Sequence, residues 1–197
     1  MEKGLLLVLS GPSGTGKGTV CKVLLNKRRD IFLSISCTTR APRPGEIDGK
    51  SYFFKTHEEF ERLIEQNAFL EYADVFSNFY GTPRSFVDAA IEQGKDVLLE
   101  IDVQGALKVK KAYPHGVFMF LVPPTMEELE NRIRSRGTET AAQIEARLGK
   151  ASAEMKLMHE YDYRIVNDQV DDVVCRIEAI MTAERLRVFR YQEQTKE

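Results

Sequence analysis

The chain has 197 residues, enough for one folded unit of ordinary size or for a core bearing small inserted lobes. Hydrophobic residues at 43% and charged residues at 29% exclude a disordered or fibrous chain. A formal net charge of −2 offers a nucleic-acid polyanion no general attraction, so basic groups that act on phosphates must be clustered locally.

The apolar run Leu5–Leu9 is too short to span a bilayer and leads into Gly-Pro-Ser rather than a signal-cleavage site, so a cytoplasmic protein without a membrane partner is expected. Cys21, Cys37 and Cys175 lie far apart, without zinc spacing, as in a reducing compartment. The same apolar run predicts a strand covered on both faces. A glycine-rich loop follows, then Val20, Val23 and Leu24 at helical spacing to about Arg29. Val97–Ile101, Val117–Val122 and Tyr163–Val166 repeat the buried-strand pattern next to helical stretches, which predicts a parallel sheet with helices on both faces.

Residues 34–96 differ. Ser51–Phe54 and Phe69–Phe76 suggest short strands, with a turn at Asp48-Gly49. Thr56-x-x-Glu59 is a capping box opening a helix to about Gln66. Thr82-Pro83 and Gly94 bracket a second helix, with proline at its first position. Pro123-Pro124 ends a core strand. Thr125-x-x-Glu128 caps a helix running to Arg136, Gly137 stops it, and Thr140-x-x-Gln143 opens another. The expected fold is α/β, a three-layer parallel-sheet core of the P-loop NTPase type with a small α+β insert and a helical lid. Its segments are 1–33 (core with phosphate loop), 34–96 (insert), 97–124 (core), 125–158 (lid) and 159–197 (core and C-terminal helix).

Gly11-Pro12-Ser13-Gly14-Thr15-Gly16-Lys17 sits between a strand and a helix, the context of a P-loop. Its glycines let successive backbone N–H groups turn inward around phosphate oxygens. The helix start and Lys17 add positive charge. The strict pattern wants a hydroxyl after the lysine, yet Gly18 stands there with Thr19 next, so no direct protein ligand is expected for Mg²⁺, which phosphates and water, or Thr19 indirectly, would hold.

From GPSGTGKGT through SCTTRAPRPGE and YGTPR to EIDVQG and VND, the chain resembles the guanylate kinases along nearly its whole length. The resemblance implies transfer of the γ-phosphate of ATP, with Mg²⁺, to GMP bound in the insert, with dGMP a further acceptor. It gives Gly11 to Thr19, with Asn167 and Asp168 at the adenine, to ATP. It gives Ser36, Glu71 and Thr82 to the guanine base, and Arg40, Arg43, Tyr52 and Tyr80 to the acceptor phosphate. Gly81 accompanies Tyr80 and Thr82 in the YGTPR motif, and Glu100 and Asp102 face the shared site. Lys17, Arg40, Arg132, Arg136 and Arg147 are its catalytic cations, the last three from the lid.

The residue chemistry is compatible. Guanine presents N1–H and a 2-amino group as adjacent donors that one carboxylate can accept together, and its O6 suits hydroxyl donors. Each residue also has an ordinary reading: Thr82 as a helix cap, Glu71 as the polar face of a strand, Tyr52 and Tyr80 as core aromatics. A kinase of another small phosphate and a non-catalytic guanylate-kinase-like binding module are the alternatives. Glu71 with Ser36 and Thr82 argues against the first, and the intact lysine loop against the second.

Overall fold

The computed structural model describes residues 3–75, 77–135 and 141–190. In chain order the elements begin with β1 (Leu6–Ser10), α1 (Lys17–Lys27), β2 (Ile31–Leu33), β3 (Cys37–Thr38), β4 (Phe53–Phe54), α2 (His57–Glu65), β5 (Phe69–Val75) and β6 (Asn78–Pro83). They continue with α3 (Arg84–Glu92), β7 (Asp96–Glu100), α4 (Val103–Ala112), β8 (Val117–Val122), α5 (Met126–Arg134), α6 (Ala141–Met155), β9 (Tyr163–Val166) and α7 (Val170–Arg185).

β1 is the centre of a parallel sheet in the order β2-β7-β1-β8-β9. Because side chains alternate across a strand, its apolar run feeds two cores. Leu5, Leu7 and Leu9 pack with Val20 and Leu24 of α1 and with Val173 and Ile177 of α7. Leu6 and Val8 pack on the other face with Val87 of α3 and with Ala106 and Val109 of α4. This is the three-layer α/β core expected. The chain leaves β1 for β2 on one side and later reaches β8 on the other, so the carboxyl end of β1 is the switch point where α/β sheets bind ligands.

The second sheet, β4-β3-β6-β5, is antiparallel except for the β3–β4 pair. α2 covers it with Phe60, whose ring stacks on Phe69 at 4.5 Å and on Phe79 at 5.4 Å. The helix opens with the anticipated reciprocal cap: Glu59 N–H donates to the Thr56 hydroxyl, and Thr56 N–H to the Glu59 carboxylate.

Several boundaries differ from the sequence reading. β2, β3 and β6 lie outside the strands the sequence predicts: the first two are only three and two residues long, without a readable period, and β6 carries Gly81 and Pro83, which weaken a strand signal. The strand expected over Ser51–Phe54 narrows to Phe53–Phe54, and that of Val97–Ile101 shifts to Asp96–Glu100. Thr82 is a strand residue, and the cap of α3 is Pro83, which offers no side-chain hydrogen bond. Thr82 is therefore not a helix cap. α5 ends at Arg134 with Ser135 as its C-cap, and Arg136, Gly137 and Thr140 lie outside the described residues.

At the opposite end of the sheet from the loop, Asp96 is almost wholly buried. It accepts the Leu5 N–H at 2.8 Å and two bonds from Arg185 at 2.7 and 2.6 Å. Asp96→Ala strands a buried amide and should cost about 3 kcal/mol of unfolding free energy. Asp96→Asn, which keeps an acceptor for Leu5, should cost less. Urea unfolding of both variants checks this, and equal losses would contradict the Leu5 contact.

Candidate active site

The loop from Gly11 to Gly16 leaves the end of β1 and enters α1. Gly16 has φ +92°, and a Cβ there would stand 2.5 Å from the Asn167 amide nitrogen, so only glycine satisfies both backbone and neighbour. Thr15 is fully buried and donates its hydroxyl to the Pro12 carbonyl at 2.9 Å. Lys17 arches back over the loop, donating to the carbonyls of Gly11 at 2.6 Å and Pro12 at 3.1 Å. Burial pushes its ammonium below the usual lysine range, opposed by the negative field of Glu100, Glu154 and Asp102. Gly18 and Thr19 are exposed at the helix start. A Cβ at Gly18 would face Glu100 Oε1 at 3.4 Å, so the position lacking a hydroxyl lies against a carboxylate at the end of β7.

Asn167 and Asp168 follow β9 but turn in different directions. Asn167 is buried; it donates its amide to the Thr15 carbonyl at 2.6 Å and its N–H to Val122 at 2.8 Å. Its side chain thus braces the phosphate loop from beneath. Asp168 is exposed and bonded to Arg176 of α7 at 2.9 and 3.1 Å, which holds its carboxyl well below the usual range.

The second sheet brings a separate set to the same cleft. Glu71 of β5 is buried, and the Thr82 hydroxyl donates to its Oε1 at 2.8 Å across the β5–β6 pair. Burial pushes the Glu71 carboxyl up, with Thr82 acting against the shift and nearby Asp102 with it. Asp102 caps α4, accepting the Gly105 N–H at 2.7 Å. Ser36, half-buried, precedes β3, and its carbonyl accepts from Phe53 N–H at 2.9 Å. Gly81 turns its α-carbon toward the rings of Phe60 and Phe69, leaving its backbone to the sheet. Tyr52 and Tyr80 meet edge to face at 5.9 Å, and the Arg40 guanidinium lies 5.5 Å over the Tyr52 ring. Arg43 is exposed in the adjoining turn.

α5 and α6 form a hairpin around Leu129, Ile133, Ile144 and Ala151. Thr125 caps α5 by accepting the Glu128 N–H at 3.0 Å. Arg132 pairs with Glu128 at 2.9 Å and donates to the Asn167 carbonyl at 3.2 Å. Arg147 of α6 donates to the Ser13 hydroxyl at 2.6 Å, joining the hairpin to the phosphate loop.

A guanylate kinase family model matches residues 3–184. The chain belongs to the guanylate kinase family. It is 55% identical to guanylate kinase of Caldanaerobacter subterraneus subsp. tengcongensis, over 98% of this chain and 93% of that one. It is 53% identical to that of Clostridioides difficile, over 98% and 94%. The crystal structure of guanylate kinase from Anaplasma phagocytophilum superposes with a TM-score of 0.79 at 39% identity, covering 96% of this chain and 90% of that one.

Two carboxylates escaped the sequence reading. Glu46 accepts two bonds from Arg40 at 2.8 and 2.9 Å and the Arg43 N–H at 2.7 Å, so it shapes the turn carrying both arginines. Its signal is an acid inside the same SCTTRAPRPGE motif. Glu154 of α6 is buried and contributes to the field at Lys17, with Lys150 3.7 Å away. Its signal is an acid three residues after Ala151, on the apolar stripe of the helix.

Arg134 faces the other way from Arg132, pairing with Glu130 at 2.6 Å on the exposed side of α5. Arg132→Ala is expected to lower turnover by about tenfold or more. Arg134→Ala should leave turnover unchanged and cost at most a few tenths of a kcal/mol. Variants assayed side by side check this, and equal damage from both would refute the assignment of faces.

Proposed function

We propose that this guanylate kinase transfers the γ-phosphate of ATP to GMP, giving ADP and GDP, with the loop Gly11–Lys17 holding the donor and the second sheet holding the acceptor. The observation that carries the reading is Glu71, a buried carboxylate with one oxygen on Thr82, positioned beside the end of the sheet that bears the phosphate loop. Guanine fits it because N1–H and the 2-amino group are adjacent donors. Adenine lacks both and would leave the carboxylate unpaired, a penalty worth about 10⁴-fold in selectivity. On this reading Ser36 also serves the base, while Arg40, Arg43, Tyr52 and Tyr80 serve the acceptor phosphate. dGMP keeps the same base and is a second acceptor.

The acceptor oxygen belongs to a phosphate whose second pKa is about 6, so no strong base is required. The barrier is the approach of two polyanions, since unit charges ~4 Å apart repel by about 4 kcal/mol at an effective dielectric of ~20. Lys17 and the arginines of the insert and hairpin neutralise that charge and fix the line of attack. Arg132 and Arg147 approach from the hairpin, and Asn167 keeps the loop in shape. Glu100, facing the position of Gly18, offers the hard oxygen that suits Mg²⁺ and its water shell. Bound with ATP, Mg²⁺ supplies further neutralisation of phosphate charge. The setting is the reducing cytoplasm, in keeping with three free thiols at Cys21, Cys37 and Cys175.

ADP release across nucleoside monophosphates tests the assignment: GMP should drive it, dGMP less well, and AMP, CMP and UMP hardly at all. Turnover with AMP comparable to that with GMP would refute it. Lys17→Ala should lower kcat by ~10²-fold or more with an almost unchanged thermal midpoint. Retention of more than about a tenth of the activity would exclude a role for Lys17 in charge stabilisation.

A further inference from the structure

Gly105 sits in the first turn of α4 with no positive φ, so its backbone makes no demand for glycine. Alanine would favour the helix. The reason for glycine is what lies above it. A Cβ at position 105 would stand 2.8 Å from Glu71 Oε2, 3.2 Å from Glu71 Cδ and 3.2 Å from Asp102 Oδ1. The Glu71 carboxylate therefore rests on the bare turn of α4, with Oε1 on Thr82 and Oε2 over Gly105.

Neither side can easily move away. Asp102 is fixed by its bond to the Gly105 N–H. β5 is tied to α4 one turn further on, where Lys108 donates to the Tyr72 carbonyl at 2.5 Å and lies 5.3 Å over the Tyr72 ring. Phe69 and Phe60 wedge the start of β5 from behind. A methyl group at 105 must displace the Glu71 carboxylate, the mobile end of the contact.

We propose that Gly105 is a specificity-positioning residue, whose missing side chain lets the carboxylates of Glu71 from the second sheet and Asp102 from the core approach one another at the guanine edge. This rests on the assignment of Glu71 to guanine. The base is then read by acceptors from both parts of the fold, and the spacing between them is set by an atom that is absent. Residue 105 touches no substrate and acts through Glu71.

The test compares Gly105→Ala, Glu71→Asp, Glu71→Gln and the double variant Glu71→Asp/Gly105→Ala in the full chain. Gly105→Ala should raise the KM for GMP about tenfold or more, leave the KM for ATP within about twofold, and keep or raise the thermal midpoint. Asp at 71 withdraws the carboxylate by one methylene, so the double variant should lose far less than the two single losses combined. An unchanged KM for GMP in Gly105→Ala, beside an impaired Glu71→Gln, overturns the role of Gly105 and spares that of Glu71. Additive losses, or equal rises in both KM values, overturn it likewise. An unimpaired Glu71→Gln removes the guanine assignment and this inference together. If Gly105→Ala unfolds, Glu71→Ala/Gly105→Ala should regain the thermal midpoint of Glu71→Ala, and failure to do so overturns the contact.

Discussion

A strand buried on both faces can send its chemistry only to its ends, and β1 is such a strand. From Leu5 to Leu9 every side chain enters one of two cores, and Ser10 is buried as well, so a polar ligand can meet the chain only in the loop that follows. The parallel strands β7, β8 and β9 end on the same side of the sheet: β7 closes on Glu100, β9 is followed by Asn167, and β8 leads through Pro123-Pro124 into α5. The phosphate loop, its brace and its hairpin are consequences of where that strand runs out.

The loop is also the meeting point of groups far apart in sequence. Thr15 and Asn167 are joined by one hydrogen bond, Ser13 and Arg147 by another, and the Asn167 carbonyl receives Arg132. The first of these is buried, where a fixed dipole has most effect, and the other two lie nearer the surface. Glu71 follows the same logic in the second sheet. Burial opposes its charge, and one hydroxyl answers that cost only in part, so the guanine proposed for this site, with two parallel donors, would complete it.

Much of this was legible in the sequence because it depends on local pattern. The apolar runs of β1 and β8, the capping box at Thr56, the N-cap at Thr125 and the glycine loop all carry their own signal. Short strands such as β3 do not, since two residues have no period and exist by virtue of their partners. Thr82 was ambiguous for the same reason: a threonine before proline suits a cap, and only the β5–β6 register shows that its hydroxyl faces Glu71. Glu46 and Glu154 were missed because an isolated acid declares its role only through what folds against it. Arg136 lies outside the described residues.

If Arg40 meets the acceptor phosphate as proposed, its bond to Glu46 changes what that binding means. A bare guanidinium would capture a phosphate and gain its whole attraction. This guanidinium already has a carboxylate on its fork, so an incoming phosphate shares or replaces an existing anion. Recognition becomes ion exchange, in which the net gain is the difference between two salt links rather than the worth of one. On the proposed assignment, this end of the site would hold simple oxyanions weakly and leave discrimination to the base at the other end.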